Sequence, residues 1–344
     1  MLNGEESIER PLVCICIPCF NNENTIFHTL ESLVNQTYLN MVIKVFDNAS
    51  TDATVAVVQK FIERGVPIQL VRRAVNIGGE GNFNECIKNV EGTYAAIFHA
   101  DDIYHPEIVA AEVDFLQRTS SCGAVSAHAC FIDAEGAGLG DKFLPPEVAA
   151  VSEKAFSKIE LLNLVYKYGN FITCPSVLFR TEVLRGGIRR FRSELFDSSS
   201  DLDVWIRVAE MGGMGIINKT LISYRLSEAS FSYSRAAKRT EDADMFLVLD
   251  HYLHDPQLTA ADRHLFSRQR DFLLARDRAS TNVNRLILGA TPFQAMPIWH
   301  NFRFSLTSFF HFKAFVLSLA VKILIAVPLV GFLGSTLKYL RYGR

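Results

Sequence analysis

Short apolar runs and helix-like segments alternate through the first hundred residues of this chain. The apolar runs read as strands: Leu12–Ile17, Met41–Phe46, Ile68–Arg72 and Tyr94–Phe98. The segments between them have helical spacing of apolar residues or lead from a loop into a helix: Asn24–Val34, Ala53–Arg64 and Gly78–Val90. This order predicts parallel strands joined by helical crossovers, and hence an α/β fold.

The residues that follow the predicted strands are mainly acids and amides. They lie in four segments: Pro18–Glu23, Asp47–Asp52, Arg73–Gly79 and His99–Asp102. In such sheets ligands bind at the carboxyl ends of the strands, so these segments form the candidate site. The first turn reads PCFNNE and lacks the G-x-G-x-x-G of dinucleotide-binding domains, which argues against a dehydrogenase. The later GGEG indicates a flexible turn before a helix.

The fourth strand ends in two adjacent carboxylates, Asp101 and Asp102, within the stretch AIFHADDIYHPE. Adjacent like charges repel each other, so the pair needs a cation or water nearby. Carboxylate oxygens suit Mg²⁺ and Mn²⁺, which can bridge a carboxylate to phosphates. The alternative interpretation is a strand-end turn in which Asp102 caps the following helix.

Composition and charge narrow the class of protein. Apolar residues make up 49% of the chain and charged residues 21%, which is typical of a globular protein. The formal net charge of −2, without a basic helix or zinc-finger spacing, predicts no nucleic-acid partner. The polar, acidic N-terminus gives no indication of a secretion signal. Cys14, Cys16 and Cys19 alternate with apolar residues, which favours small core side chains in a reducing compartment over a zinc site.

Strand and helix patterns continue beyond Gly123. Strands are predicted at Ala124–Cys130 and Phe171–Phe179, and a helix at Phe156–Tyr166. The sequence SSSDLDVWIR starts a further helix, for which the serines and Asp201 are N-cap candidates. Two more helices are expected near residues 241–253 and 262–288, with most charges of the second on a solvated face.

Six motifs in order make the chain resemble the family 2 glycosyltransferases, which have the GT-A fold. Between Leu12 and Ser232 they read VCICIPCFNNENTI, FDNASTDAT, NIGGEGNFNECI, AIFHADDIYHPE, SSSDLDVWIRVAEMG and ISYRLSEASFS. Three residues depart from the family pattern: His99 replaces the first acid of D-x-D, Ser200 the Glu of an E-D pair, and Ser227 a frequent His. The resemblance implies a Rossmann-like, mostly parallel central sheet with helices on both faces.

The resemblance also implies a nucleotide-sugar site and a metal. The residues implied for the nucleotide sugar are Pro18, Asn22, Glu23, Asp47, Asn76, His99 and Asp101. Asp101 and Asp102 would hold Mn²⁺ or Mg²⁺, which stabilises the charge of a departing diphosphate. A turn-forming role is the alternative for Asp47, a loop-holding role is the alternative for Asn76, and Asp52 fits a helix cap.

By motif position Asp201 is the candidate general base for the acceptor hydroxyl. Contacts with the acceptor or with phosphate are implied for Asp203, Arg207, Tyr224 and Arg225. Asp203 could instead orient its neighbours. A structural salt bridge is an equal alternative for the other residues. One base with no nucleophile on the near face of the donor indicates a single displacement that inverts the anomeric carbon, as the family's habit also implies.

The last third of the chain lies outside the resemblance. Residues 235–298 are expected to form a helical extension of a catalytic domain at 1–234. Ala314–Gly334 is a 21-residue stretch whose only charge is Lys322, and Pro328 interrupts it. Both features argue against a simple span, so we expect residues 299–344 to lie in the cytoplasmic leaflet of a membrane. A full span is the second choice, and a buried core or oligomer helix is the third.

These features predict a metal-dependent, inverting glycosyltransferase at the cytoplasmic face of a membrane. Its donor would be a nucleotide-diphosphate sugar, with a UDP-sugar favoured. Its acceptor would be a glycan or lipid-linked sugar in polysaccharide or glycoconjugate biosynthesis. Two alternatives stay open: a nucleotidyltransferase, although PCFNNENT has no Lys or Arg for a phosphate loop, and a catalytically weak sugar-nucleotide-binding protein.

Overall fold

The computed structural model describes residues 10–226 and 239–288, together with residues 296 and 316. Apart from residue 316, the predicted membrane-associating segment 299–344 lies outside the described residues, as does Ser227. The described chain divides into two compact units. One contains residues 10–161, 171–193 and 200–226, and the other contains residues 162–170, 194–199 and 239–288. The domain boundaries after residues 234 and 298 stay predictions.

The N-terminal half of the sheet has the predicted alternation of strands and helices. Four parallel strands lie in the order β3–β2–β1–β4: β1 (Val13–Cys19), β2 (Met41–Asp47), β3 (Ile68–Arg72) and β4 (Tyr94–Ile97). Three helices connect them: α1 (Ile26–Val34), α2 (Thr54–Glu63) and α3 (Gly78–Lys88). The α/β prediction is therefore confirmed.

Helices cover both faces of these strands. Side chains along a strand point alternately to the two faces, and those of β1 contact different helices on each face. Ile15 and Ile17 of β1 join the core that α1 and α2 also line. Cys16 points the other way, where its Sγ lies 3.8 Å from the carbonyl oxygen of Cys86 in α3. All three cysteines of β1 are buried free thiols, which confirms their interpretation as core side chains.

The C-terminal half of the sheet combines both strand directions. Strand β9 (Val177–Arg180) runs antiparallel between β4 and β6 (Ala124–Ile132), and β10 (Met214–Arg225) is parallel to β6. Three short strands are antiparallel neighbours of these: β5 (Ile103–Tyr104) and β8 (Glu153–Phe156) pair with β10, and β7 (Gly138–Asp141) pairs with β6.

The remaining helices among the described residues come after β5. They are α4 (Ile108–Arg118), α5 (Pro146–Ala149), α6 (Lys158–Tyr168), α7 (Ser193–Phe196), α8 (Ser200–Met211), α9 (Met245–Leu253) and α10 (Ala260–Ile287). Short 3₁₀ turns occur at Cys174–Ser176 and Asp197–Ser199, and a π-helix occurs at Val183–Ile188.

The predicted strand Phe171–Phe179 is wrong in its first part. Residues Cys174–Ser176 form a 3₁₀ turn, and β9 begins only at Val177. Pro175 has no N–H group to donate to a strand ladder, so regular pairing starts after it.

The second unit is held by aromatic packing and ion pairs. The ring of Tyr166 stacks on Phe266 with centroids 4.7 Å apart, and its hydroxyl donates to Leu249 O. Several charges of α10 that were expected to be solvated are paired: Arg270 with Asp250, Arg278 with Asp242, and Asp277 with Arg239. None of the helices in the described part of the chain has the length and hydropathy that a membrane span requires.

The turn before β4 requires glycine at position 92. Gly92 has a φ of +73°, and a Cβ atom there would lie 2.5 Å from Leu12 O. Since this carbonyl accepts hydrogen bonds from Thr93 N and Tyr94 N, it cannot move away. We expect Gly92→Ala to lower the free energy of unfolding by about 3 kcal/mol, because it adds a steric clash to the cost of the left-handed conformation.

Gly65→Ala is the matched control, because Gly65 has a φ of +85° and nothing would lie within 4 Å of the added Cβ. It should cost about 1 kcal/mol, from the backbone conformation alone. Urea denaturation followed by circular dichroism measures both variants. Equal losses would show that the approach to Leu12 is unimportant.

Candidate active site

The carboxyl ends of β1, β2 and β4 meet at one edge of the sheet, as the sequence predicts. Cys19 at the end of β1 pairs with Asp47 at the end of β2, and Cys16 pairs with Ile97 in β4. Because the polar segments come directly after these strands, they share this edge of the sheet.

A reciprocal hydrogen-bond network joins the loops after β1 and β2. Glu23 Oε2 accepts from Ala53 N at 2.9 Å, and Asp52 Oδ2 accepts from Glu23 N at 3.1 Å. Asp52 Oδ1 also accepts from Thr54 N, at the first residue of α2, at 2.9 Å. Asp52 thus satisfies the first free N–H group of α2, although Ala53 and not Asp52 occupies the N-cap position. The carboxylate of Glu23 thus shapes the loops at the site.

Asn22 and Pro18 lie beside this network. Asn22 Oδ1 accepts from Phe20 N within its own turn at 2.9 Å, and Asn22 N donates to Thr54 Oγ1 at 2.7 Å. Pro18 is half-buried near the end of β1. Both residues therefore border the predicted nucleotide site, and the side-chain oxygen of Asn22 has a structural partner.

Asp47 combines a turn contact with an unused oxygen. Its Oδ1 accepts from Ser50 N at 3.2 Å, which is the turn-forming role considered as the alternative. Its Oδ2 is buried and has no hydrogen-bond partner among the described residues. The whole residue is 1% exposed. A buried carboxylate oxygen without a partner is costly, so Asp47 Oδ2 is suited to accept a hydrogen bond from a ligand.

Asn48 organises the loop that contains Asn76. Its Nδ2 donates to Asn76 Oδ1 at 2.8 Å and to Gly78 O at 3.1 Å, while its Oδ1 accepts from Ile77 N at 2.9 Å. Asn76 Oδ1 also accepts from Gly78 N at 2.7 Å. Asn76 therefore holds its loop through this oxygen. The sequence reasoning did not single out Asn48, although it lies inside the motif FDNASTDAT.

His99, Asp101 and Asp102 form a cluster of possible metal ligands. One ligand atom from each residue lies within 4.8 Å of the others. His99 Nδ1 is 3.8 Å from Asp102 Oδ2. His99 Nε2 and Asp102 Oδ2 are buried and have no hydrogen-bond partner among the described residues. Two carboxylates and an imidazole with unused buried atoms fit a divalent cation.

The main chain at the end of β10 holds Asp102 in place. Asp102 Oδ1 accepts from Arg225 N at 2.8 Å, and Arg225 Nε donates to Asp101 O at 2.8 Å. Arg225 Nη1 donates to the carbonyls of Asp133 and Ala134. Asp102 is thus bonded across the sheet, whereas the alternative interpretation made it a helix cap. The guanidinium of Arg225 is directed to main-chain carbonyls.

Burial controls the protonation of this cluster. Burial, and then the neighbouring charge of Asp101, raises the pKa of Asp102 well above its usual range, although the Arg225 N–H opposes the shift. Burial lowers the pKa of His99, and the charge of Asp101 opposes that change. His99 is therefore neutral near pH 7, with one ring nitrogen available as a ligand.

Asp201 lies in the first turn of α8, where its Oδ1 accepts from Leu202 N at 2.7 Å. Its charge reaches two groups of the same region. Burial is the main cause of the raised pKa of Cys174, and the charge of Asp201 raises this pKa further. The charge of Asp102 acts in the same direction. The charge of Asp201 also opposes the lowering of the Lys142 pKa. Asp201 and Asp102 thus act electrostatically on a common neighbour.

Lys142 is a site residue that the sequence reasoning missed. Its Nζ donates to Ile172 O and to Thr173 Oγ1, each at 3.0 Å. Burial lowers the pKa of Lys142 to about 8, against the charges of Asp201 and Cys174. No motif marks this residue, since it comes directly after the short strand β7 in a hairpin. Its amine lies within electrostatic reach of the predicted base.

Asp203 and Arg207 form a buried ion-pair group. Asp203 has no exposed surface and accepts from Arg192 through two bonds and from Arg207 Nε at 2.9 Å. Arg207 also donates to the carbonyls of Ile188 and Arg190. These contacts match the orienting role considered for Asp203. Tyr224 packs edge-on against a neighbouring phenyl ring 6.1 Å away.

Residues 14–196, more than half of the chain, match the family model described as glycosyl transferase family 2. The chain belongs to this family. It is therefore a glycosyltransferase.

Two similar proteins carry glycosyltransferase names. An uncharacterized glycosyltransferase of Haemophilus influenzae is 24% identical, over 67% of this chain and 71% of that protein. The UDP-Glc:alpha-D-GlcNAc-diphosphoundecaprenol beta-1,3-glucosyltransferase WfaP of Escherichia coli is 25% identical, over 65% of this chain and 81% of that protein.

Solved structures confirm the GT-A fold. S. aureus TarS in complex with UDP has a TM-score of 0.60 at 16% identity, covering 96% of this chain and 92% of that chain. The mannosyltransferase PcManGT of Pyrobaculum calidifontis, in complex with GDP-Man and Mn²⁺, has a TM-score of 0.57 at 16% identity. The similarity covers 97% of this chain and 86% of that chain.

The lowered pKa of Lys142 predicts a pH-dependent contribution to stability. Between about pH 8 and pH 10 the unfolded chain keeps a proton that folded Lys142 has released. Lys142 therefore makes the free energy of unfolding rise with pH in this window. We expect the free energy of unfolding of the wild type to increase relative to Lys142→Met as the pH is raised from 8 to 10.

Lys60→Met is the control, because Lys60 lies on an exposed position of α2. Its stability should show the same pH dependence as the wild type. Urea denaturation at a series of pH values measures all three proteins. Parallel curves for the wild type and Lys142→Met would contradict the burial of the amine.

Proposed function

We propose that this glycosyltransferase moves a sugar from a nucleoside diphosphate donor, with a UDP-sugar favoured, to a hydroxyl group of a glycan or lipid-linked acceptor. The observation that carries the proposal is the cluster of His99, Asp101 and Asp102, whose ligand atoms lie within 4.8 Å of one another. It lies at the same sheet edge as Asp47, whose Oδ2 has no partner among the described residues. The bound UDP of TarS and the bound GDP-Man of PcManGT support the donor class.

Mn²⁺ or Mg²⁺ is the proposed cofactor. Asp101 and Asp102 would hold the ion through carboxylate oxygens, with His99 as a nitrogen ligand. The buried atoms His99 Nε2 and Asp102 Oδ2 are costly without partners, and a cation would offset that cost. When bound, the ion neutralises charge on the diphosphate leaving group. The Mn²⁺ in the PcManGT structure supports this assignment.

The donor is bound by the loops after β1, β2 and β3. Asp47 Oδ2 accepts a hydrogen bond from the nucleoside, and Glu23 and Asn76 keep the surrounding loops in shape. Pre-shaped loops reduce the entropy that donor binding would otherwise cost.

Asp201 is the proposed general base. The acceptor oxygen forms a bond to the anomeric carbon while the bond from that carbon to the diphosphate breaks, and the hydroxyl proton passes to Asp201. One displacement of this kind inverts the anomeric carbon. The Lys142 amine lies within electrostatic reach of Asp201, whose charge opposes the lowering of the Lys142 pKa.

We further propose that the acceptor is membrane-bound and that residues 299–344 place the enzyme at the cytoplasmic face of a membrane. The apolar stretch Ala314–Gly334 and the basic residues Lys338, Arg341 and Arg344 support this arrangement. WfaP, whose name gives an undecaprenol-linked acceptor, also supports it. The reaction then belongs to polysaccharide or glycoconjugate biosynthesis.

Asp201→Asn and Asp203→Asn make the same change two residues apart on α8. Removal of the base in Asp201→Asn should slow sugar transfer by about 10³-fold while donor binding persists. Its stability should change by less than about 1 kcal/mol, since Asn also accepts from Leu202 N. Asp203→Asn should lose about 3 kcal/mol of stability, because Arg192 and Arg207 lose a buried carboxylate.

Release of the nucleoside diphosphate from a panel of UDP- and GDP-sugars with Mn²⁺ measures transfer to acceptor or water. Thermal shift with the same donors measures binding, and urea denaturation measures stability. Full activity in Asp201→Asn would remove the proposed base. If no donor raises the melting temperature of the wild type in the presence of Mn²⁺, the proposed function is wrong.

The membrane proposal predicts that the full chain floats with liposomes that contain anionic lipid. Replacement of Lys338, Arg341 and Arg344 by Gln should weaken this binding by about 100-fold, since each basic residue near an anionic surface contributes about 1 kcal/mol. A matched triple replacement of Lys60, Arg64 and Lys88, in or next to α2 and α3, should have little effect. Equal flotation of all three proteins, or none, would contradict the proposal.

A further inference from the structure

Helix α1 has three hydroxyl side chains in a row that faces the turn after β4. Thr25, at the N-cap, and Thr29 and Ser32, within the helix, are spaced by four and three positions, so they lie on one helix face. The face that a helix packs on a sheet is usually apolar. Thr29 nevertheless has no exposed surface. We call these three residues the polar row.

The polar row bonds to alternate residues of the segment that contains the proposed metal ligands. Thr29 Oγ1 donates to Asp102 O at 2.7 Å, and Ser32 Oγ accepts from Tyr104 N at 3.1 Å. Asp102 and Tyr104 are each 1% exposed, whereas Asp101 is half-buried. A buried main-chain oxygen needs a donor. Because Asp102 lies between β4 and β5, a helix side chain and not a strand provides this one.

Thr25 uses its hydroxyl group on the site and not on its own helix. It occupies the N-cap position of α1, where a threonine usually binds a free N–H group of the first turn. Within the described chain, its side chain makes no such capping bond. Thr25 Oγ1 donates instead to Ala100 O at 3.0 Å, while Asn22 O lies farther away at 3.4 Å.

Tyr104 extends this support to the third proposed ligand, His99. Its hydroxyl oxygen accepts from His99 N at 2.7 Å, and its ring stacks on Phe98 with centroids 4.1 Å apart. Ser32 binds the N–H group of Tyr104 itself. The polar row therefore reaches the main chain on both sides of the ligand cluster.

We propose that the polar row of α1, with Thr29 at its centre, positions the turn that presents Asp101 and Asp102 to the metal. Thr29 and Thr25 are positioning residues, because their hydroxyl groups act on main-chain oxygens of the turn. Arg225 N holds the carboxylate of Asp102 from the sheet, and Thr29 holds its main chain from the helix. The metal in this inference rests on the proposed function, whereas the hold on the turn does not.

The experiment removes the Thr29 hydroxyl group in the full-length protein. Thr29→Val keeps the shape of the side chain and loses the donor to Asp102 O, whereas Thr29→Ser keeps the donor. Thr281→Val is the matched control, because Thr281 is a helical threonine of the second unit, 1% exposed, that accepts from Arg239 Nη1 at 3.2 Å. Each Val variant loses a buried hydrogen bond, so each should lower the melting temperature by about 2–4 °C.

Two further measurements separate positioning from this general loss. An EPR titration of Mn²⁺ in the presence of UDP reports the metal site, and amide hydrogen exchange of residues 99–104 reports the turn. In Thr29→Val we expect about tenfold weaker Mn²⁺ binding and about tenfold faster exchange, as for groups that orient metal ligands. In Thr29→Ser and Thr281→Val both quantities should stay within about twofold of the wild type.

Wild-type Mn²⁺ binding and exchange in Thr29→Val would overturn the inference. Equal impairment in Thr29→Ser and Thr29→Val would also overturn it, because the hydroxyl group would then not be the cause. If Thr29→Val does not fold, Thr25→Val decides, since no capping bond is lost there. It should bind Mn²⁺ about fivefold more weakly, with faster exchange of the turn, and wild-type values would count against the polar row.

Failure of the proposed function gives a different result. If the wild type binds no Mn²⁺ in the presence of UDP, the metal assignment is wrong. Amide exchange in the same variants then decides alone whether the polar row holds the turn.

Discussion

The hydrogen bond between Asp102 and the main chain of Arg225 is the interaction on which the active site depends. Arg225 lies 123 positions after Asp102, and its N–H group donates to Asp102 Oδ1. Arg225 Nε returns a bond to Asp101 O, so the turn after β4 is tied twice to the end of β10. Two adjacent carboxylates repel each other and would move apart in a free turn. The sheet holds them together, which leaves Asp102 Oδ2 and His99 facing a common space.

The polar side chains of the candidate site fall into two groups, those with structural partners and those with unused oxygens. Glu23, Asn48 and Asn76 use their side-chain oxygens on loop N–H groups, and these bonds pre-shape the site. Asp47 Oδ2 and Asp102 Oδ2 are buried and lack partners in the described structure. Because an unsatisfied buried oxygen costs free energy, such atoms persist where a ligand or ion completes them. The two oxygens lie on neighbouring parts of one sheet edge, as a donor and its cation would require.

The first turn of α8 contains two acids with different surroundings, the proposed base Asp201 and the ion-paired Asp203. Asp201 lies at its start, half-buried, and acts through its charge on Lys142 and Cys174. Asp203 is fully buried and forms ion pairs with Arg192 and Arg207. Successive positions on a helix point in different directions, so two acids spaced by two residues face different surroundings. Lys142, from the β7 hairpin, then supplies a positive charge near Asp201 from outside α8.

The sequence by itself determined the strand–helix alternation, the family and the segments that would meet at the sheet edge. These depend on local apolar periodicity and on motifs within single segments, which require no knowledge of distant contacts. Only the tertiary structure decided that Asn48 organises the Asn76 loop, that Arg225 binds carbonyls, and that the buried amine of Lys142 donates to Ile172 O and feels the charge of Asp201. In each case the deciding partner lies on another element of the fold. A side chain's role depends on which groups compete for its atoms after burial, and that competition exists only once the chain has folded.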